Sequence, residues 1–133
     1  MKKLGRGILL LGVFLVLVIV PALHAADTYA AIAYHQSTHT WAYSNEAGTK
    51  EEAIAEALRK CGHSQAKTNW CRNSWIALAV SSTQGWGSAW AVTPQDARKK
   101  SIEECFAHEN NPDAHVVVCV HSDGRIDTVT KSH

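Results

Sequence analysis

The sequence predicts an α+β domain: a duplicated hairpin–helix–strand unit forming one antiparallel sheet, with two helices packed on one face and disulfide staples. Three observations predict it. The stretch from Thr49 to Cys61, TKEEAIAEALRKC, is written again from Thr93 to Cys105, TPQDARKKSIEEC. Short apolar runs bounded by turn residues flank both copies, and each copy ends in a cysteine. Matching Thr49, Ala53, Ala57, Leu58 and Cys61 to Thr93, Ala97, Ser101, Ile102 and Cys105 needs one constant offset and no gap.

Residues 1–25 read as a signal peptide. Lys2, Lys3 and Arg6 form a basic start, Ile8 to Val20 is apolar apart from Gly12, and a small-residue site ends at Ala25. That run falls short of the roughly 20 residues a membrane-spanning helix needs, so no stable membrane anchor is expected after cleavage. Residues 26–133 form a single α+β domain, with repeat units at about 29–73 and 74–121. Without the leader, ten basic side chains face twelve acidic ones, a net charge near −2. Nucleic acid is therefore not an expected partner, because a phosphate backbone needs a basic face.

Tyr29 to Tyr34 is a short apolar strand, and Thr40 to Tyr43 returns against it across His35 to His39. Asn45 to Gly48 leads into the first helix. There Thr49 and Glu52 make a capping box, Ala53, Ile54, Ala57, Leu58 and Cys61 make one apolar stripe, and Gly62 ends the helix. Lys67 to Cys71 and Ser74 to Val80 are strands, the second repeating the first apolar run. Ser81 to Gly85 is a turn, and Trp86 to Val92 returns. Thr93 caps the second helix and Pro94 takes its first position, where a missing N–H costs nothing. Ala97, Ser101, Ile102, Cys105 and Phe106 form its stripe, narrowed by Arg98 where Ile54 stands. His115 to His121 is a β-branched strand, and Ile126 to Thr130 follows the Asp123–Gly124 turn as an edge.

All four cysteines lie beyond the leader, and an even count in an exported chain reads as disulfides. Four cysteines allow three pairings; the duplication favours Cys61–Cys71 and Cys105–Cys119.

The apolar Tyr29 to Tyr34, then Trp41-Ala42-Tyr43, the alanine-rich helix ending in cysteine, Arg72-Asn73 before Trp75 to Val80, and Gly85-Trp86-Gly87 occur in one order. In these motifs the chain resembles the bacterial family called domain of unknown function 4189. The resemblance covers nearly the whole exported part and implies a small exported protein with a duplicated strand-and-helix unit. It implies no catalytic residue. Trp75 stands where the resemblance implies a further cysteine.

Most of the chemistry-bearing residues have plainer uses. His35 and His39 bracket a hairpin loop at a spacing that suits a metal, but no carboxylate or thiol accompanies them, so no metal and no cofactor are expected. Cys61 beside His63, and Cys119 beside His121, lie near a base, yet paired cysteines are the commoner use in an exported chain. Glu51, Glu52, Glu103 and Glu104 sit where helix faces are solvated. Tryptophan is more informative. Gly85-Trp86-Gly87-Ser88 sets Trp86 at a turn, and Trp41 holds the matching place, so Trp86 with Ser81 to Gly85, and Trp41 with His35 and His39, are expected to form the contact surface. The function expected is a small periplasmic or secreted binding protein without enzymatic activity, of the inhibitor or immunity class, acting on an envelope enzyme or toxin. Its partner is then a protein of the cell envelope. The alternative is a cell-wall-active enzyme or a glycan-binding module.

Overall fold

The computed structural model describes residues 26–108 and 113–130; the expected signal peptide lies outside them. In chain order the elements are β1 (Tyr29–His35), β2 (Thr40–Ala47), α1 (Lys50–Cys61), β3 (Lys67–Arg72), β4 (Trp75–Val80), β5 (Trp86–Ala91), α2 (Pro94–His108), β6 (His115–His121) and β7 (Ile126–Val129). The strands form two antiparallel sheets, one ordered β2-β1-β3 and the other β5-β4-β6-β7.

Alternation along β1 and β4 explains how these sheets are stacked. Side chains two apart share a face. Ala30, Ile32 and Tyr34 of β1 meet Ile76 and Leu78 of β4 in one buried cluster, which Cys71, Val118 and Val120 extend. On the opposite face of β1, Ala31 and Ala33 pack with Ala53, Ala57 and Cys61 of α1. On the opposite face of β4, Trp75 and Ala77 pack with Ala97 of α2 and with Cys119. The order of layers is therefore α1, first sheet, second sheet, α2. Large side chains fill the middle, and alanines line the outer interfaces, where the helices sit close.

The single sheet with both helices on one face is thus corrected. Helices on one side only would leave Ile32, Tyr34, Ile76 and Leu78 facing water, at roughly 25 cal/mol for each Å2 of apolar surface. The chain changes sheet between β3 and β4, across only Asn73 and Ser74. Asn73 has a left-handed backbone (φ 49), its N–H donates to Thr28 O, and its Oδ1 accepts from Thr28 N.

The helix ends follow the sequence. Thr49 Oγ1 accepts from Glu52 N at 3.1 Å, and Glu52 Oε2 accepts from Gly48 N, one residue ahead of the expected donor. Gly62 closes α1 with φ 76. Thr93 Oγ1 accepts from Asp96 N, and Arg98 is accounted for by an ion pair to Asp127 of β7.

The disulfides are also corrected. No disulfide forms among the described residues, and all four cysteines are buried. Cys61 lies under α1 on the outer face of the first sheet, whereas Cys71 lies in the inter-sheet cluster on its inner face. Cys119 Sγ donates to Pro94 O at the start of α2. Cys105 lies three turns along that helix, about 16 Å at 1.5 Å per residue. A disulfide requires Cα atoms about 4.4–6.8 Å apart.

Candidate binding site at the hairpin end

Both hairpin loops lie at the same end of the two-sheet stack. The first is a 3-10 turn, Gln36–Thr38, followed by His39 in the left-handed region (φ 54). The second runs over residues 81–85, with Gln84 at φ 69. Gln36 Nε2 donates to Gln84 O at 3.0 Å and joins the two. Each loop is also braced from within. Ser81 N donates to Gly85 O at 2.9 Å, and Gly85 N donates back to Ser81 Oγ at 3.0 Å. Ser82 N donates to Asp113 Oδ2 at 3.1 Å, and hydrogen bonding from Ser82 holds that carboxyl below the usual range. On the other loop the His35 ring stacks on His63, with centroids 3.9 Å apart and planes 3° from parallel. Thr38 Oγ1 lies 2.6 Å from His35 Nδ1. Gln36, Ser37, Thr38, His39, Ser82, Thr83 and Gln84 are exposed, so this end offers water a polar surface.

Beneath the loops a cleft of about 320 Å3 opens between the sheets. Tyr34 and Trp41 line it from the first sheet, Val80 and Val117 from the second, together with His39, His115 and Thr130. Tyr34 and Trp41 are cross-strand partners, as are Val80 and Trp86. Tyr34 also lines a second cavity of about 370 Å3, bounded by His35, Gln36, Lys67 and Gln84. Tyr34 thus borders both cavities. The residue is 1 % exposed, and its hydroxyl finds no hydrogen-bond partner among the described residues. Burial, then the nearby Cys105, pushes its pKa up.

Of the residues singled out in the sequence, Trp41 and His39 line the cleft. Trp86 and His35 support its surroundings. Trp86 is half-buried against the core, its ring 5.6 Å from that of Tyr34. Its glycine neighbour has a structural cause: a Cβ on Gly87 would lie 2.3 Å from Cys105 N and 2.4 Å from Ser101 O, so α2 crosses directly over it. Tyr34, Val117, His115 and Thr130 were not singled out. A tyrosine closing an apolar run, opposite a tryptophan, was the available signal. Trp90, 56 % exposed beside Asn69 and Arg72 at the β3–β5 edge, was missed because edge position is not written in a strand's composition.

The other constellations disperse. Glu51 and Glu52 are exposed on α1, and Glu103 and Glu104 on α2, with both sheets between the pairs. Burial raises the pKa values of Cys61, Cys71 and Cys119, the last to about 12. A thiol nucleophile needs the opposite shift.

The family model described as a domain of unknown function, DUF4189, matches residues 29–120. The chain belongs to the DUF4189 family. No curated protein and no solved structure matches it. The matched span runs from the start of β1 to near the end of β6, and so contains both hairpin loops and both helices of this DUF4189 protein.

Proposed function

We propose that this DUF4189 protein is a small exported binding protein, periplasmic or secreted, that contacts a protein partner of the cell envelope through its hairpin end. The class of work proposed is inhibition or immunity toward an envelope enzyme or toxin. One observation carries the reading: two polar loops from different sheets are tied together by Gln36 and Gln84 above half-buried Trp41 and Trp86. Aromatic groups surrounded by polar ones, on a surface that needs little ordering, suit protein recognition. We further propose that residues 29–73 and 74–121 are copies of one unit. Each half runs hairpin, helix, strand, and in each sheet the first strand of its half lies between the next two.

The test is capture from an envelope fraction with the protein lacking residues 1–25. Wild type should retain one partner, Gln84→Arg should lose it at an unchanged thermal midpoint, and Glu56→Arg on the far face of α1 should keep it. Equal capture by all three removes the hairpin end from the interface.

A further inference from the structure

We infer that the free edge of β3 docks an extended segment of a partner protein, one that alternates acidic and apolar side chains and adds to the first sheet as a further strand. This site lies on the flank of the stack and goes beyond the hairpin-end contact; either can fail without the other. β3 is the outer strand of its sheet, paired with β1 on one side and with no strand on the other among the described residues. Its backbone shows which groups face outward. Trp70 N donates to Asn69 Oδ1 at 2.9 Å, whereas Asn73 N donates to Thr28 O beside β1. In an antiparallel pair, residues that bond across the ladder alternate with residues that do not. The register is unbroken from Lys67 to Arg72, so Thr68, Trp70 and Arg72 turn their backbone N–H and C=O groups away from β1. Such a row is what an added strand pairs with.

The groove along this edge defines what the segment carries. It measures about 380 Å3 and is lined by Asn69, Trp70, Cys71, Arg72 and, from the second sheet, Trp90. Trp70 sits opposite Ala31 and so belongs to the α1 face, where Lys50 Nζ stands 4.6 Å from its ring centre. Arg72, two residues on, shares that face. Trp90 sits opposite Ile76 of the inter-sheet cluster, so it flanks the edge from the inner face, 56 % exposed. Alternate side chains of an added strand therefore meet Lys50 and Arg72 on one face and Trp90 on the other. The first set calls for carboxylates and the second for apolar groups. β3 itself, KTNWCR, holds two cations and no acid. The neighbouring Asp27 is held by Asn73, whose Nδ2 donates to its Oδ1 at 2.8 Å, and its Oδ2 stands 3.7 Å from Arg72 in a solvated pair that contributes little. A second copy of the chain would bring its own Lys67 and Arg72 to this edge, and like charges across a strand pair repel.

The experiment titrates the isotopically labelled protein with a capped Glu-Val-Glu-Val-Glu-Val peptide, following backbone and indole N–H resonances. Two control peptides accompany it, one with lysine in place of glutamate and one methylated on its backbone nitrogens. Saturable shifts at the Thr68, Trp70 and Arg72 amides and at the Trp70 and Trp90 indoles are expected, with affinity for each control lower by about tenfold or more. Thr68→Pro gives the second reading. Proline is tolerated where an edge N–H faces solvent, so the thermal midpoint should hold while affinity for the glutamate peptide falls about tenfold. No saturable shift with the glutamate peptide, or equal affinity for either control, would overturn the assignment. So would a collapsed midpoint in Thr68→Pro, which would mean that Thr68 N–H is already bonded within the fold. A dimer of the free protein with its Thr68 and Trp70 amides protected would give the edge to a second copy instead.

Discussion

At Gly87, α2 lies directly against the second sheet. Any Cβ there meets helix backbone, which cannot swing aside as a side chain can. Gly87→Ala should therefore cost about 3 kcal/mol in a urea melt, the upper end of overpacking costs. A loss under about 0.5 kcal/mol would mean that the helix is free to shift. The same glycine shows what sequence left ambiguous: it suggested an exposed Trp86, whereas its smallness serves the helix. Cys119 makes a prediction of a different kind. Burial raises its pKa from 9.0 to about 12, and Tyr34 is raised above 10.0 in the same sense. The folded chain thus keeps protons that the unfolded chain releases above pH 9. This stability is fully present below pH 9 and is lost as pH rises toward 12. Urea midpoints should fall steadily from pH 9 to 11; a flat profile over that interval would contradict the burial of these groups.

The two helices were the most legible elements, because caps and stripes are local. Thr49, Gly62 and Thr93 act where their chemistry placed them. What the periodicity overstated is depth. Ala53 and Ala57 are fully buried, whereas Leu58 and Ile102 are half-buried at the margins. Leu58→Ala should accordingly cost about 1–2 kcal/mol, less than the 2–5 of a fully buried leucine. Ala57→Leu should cost more than Leu58→Ala, since alanine is what lets α1 approach Ala31 and Ala33. The reverse order in denaturant melts would place the contact stripe elsewhere. Arg98→Ala should cost under about 1 kcal/mol, because its ion pair with Asp127 is partly solvated.

At the scale of the whole molecule, the strands and their two hairpin pairings were legible, but the division into two sheets was not. The link of Asn73 and Ser74 is short enough for a hairpin within one sheet, yet it carries the chain to the other. Apolar positions on both faces of β1 and β4 held the clue, since such strands are covered on both sides. The disulfide expectation failed for a related reason: sequence placed cysteines in elements, not on faces. Stacking the sheets also gives the molecule two unlike ends. At one, Glu46 N donates to Ser122 O and Thr28 Oγ1 meets Ser122 Oγ, stitching the sheets together. At the other, the sheets part around the cleft, beneath loops joined by Gln36 and Gln84. That asymmetry underlies the proposed function. Its most direct test is hydrogen–deuterium exchange of the protein alone and bound to the partner it captures. The account predicts added protection over residues 36–39 and 81–85, with the exposed faces of α1 and α2 unchanged. Protection confined to either helix face, with both loops exchanging as in the free protein, would contradict it.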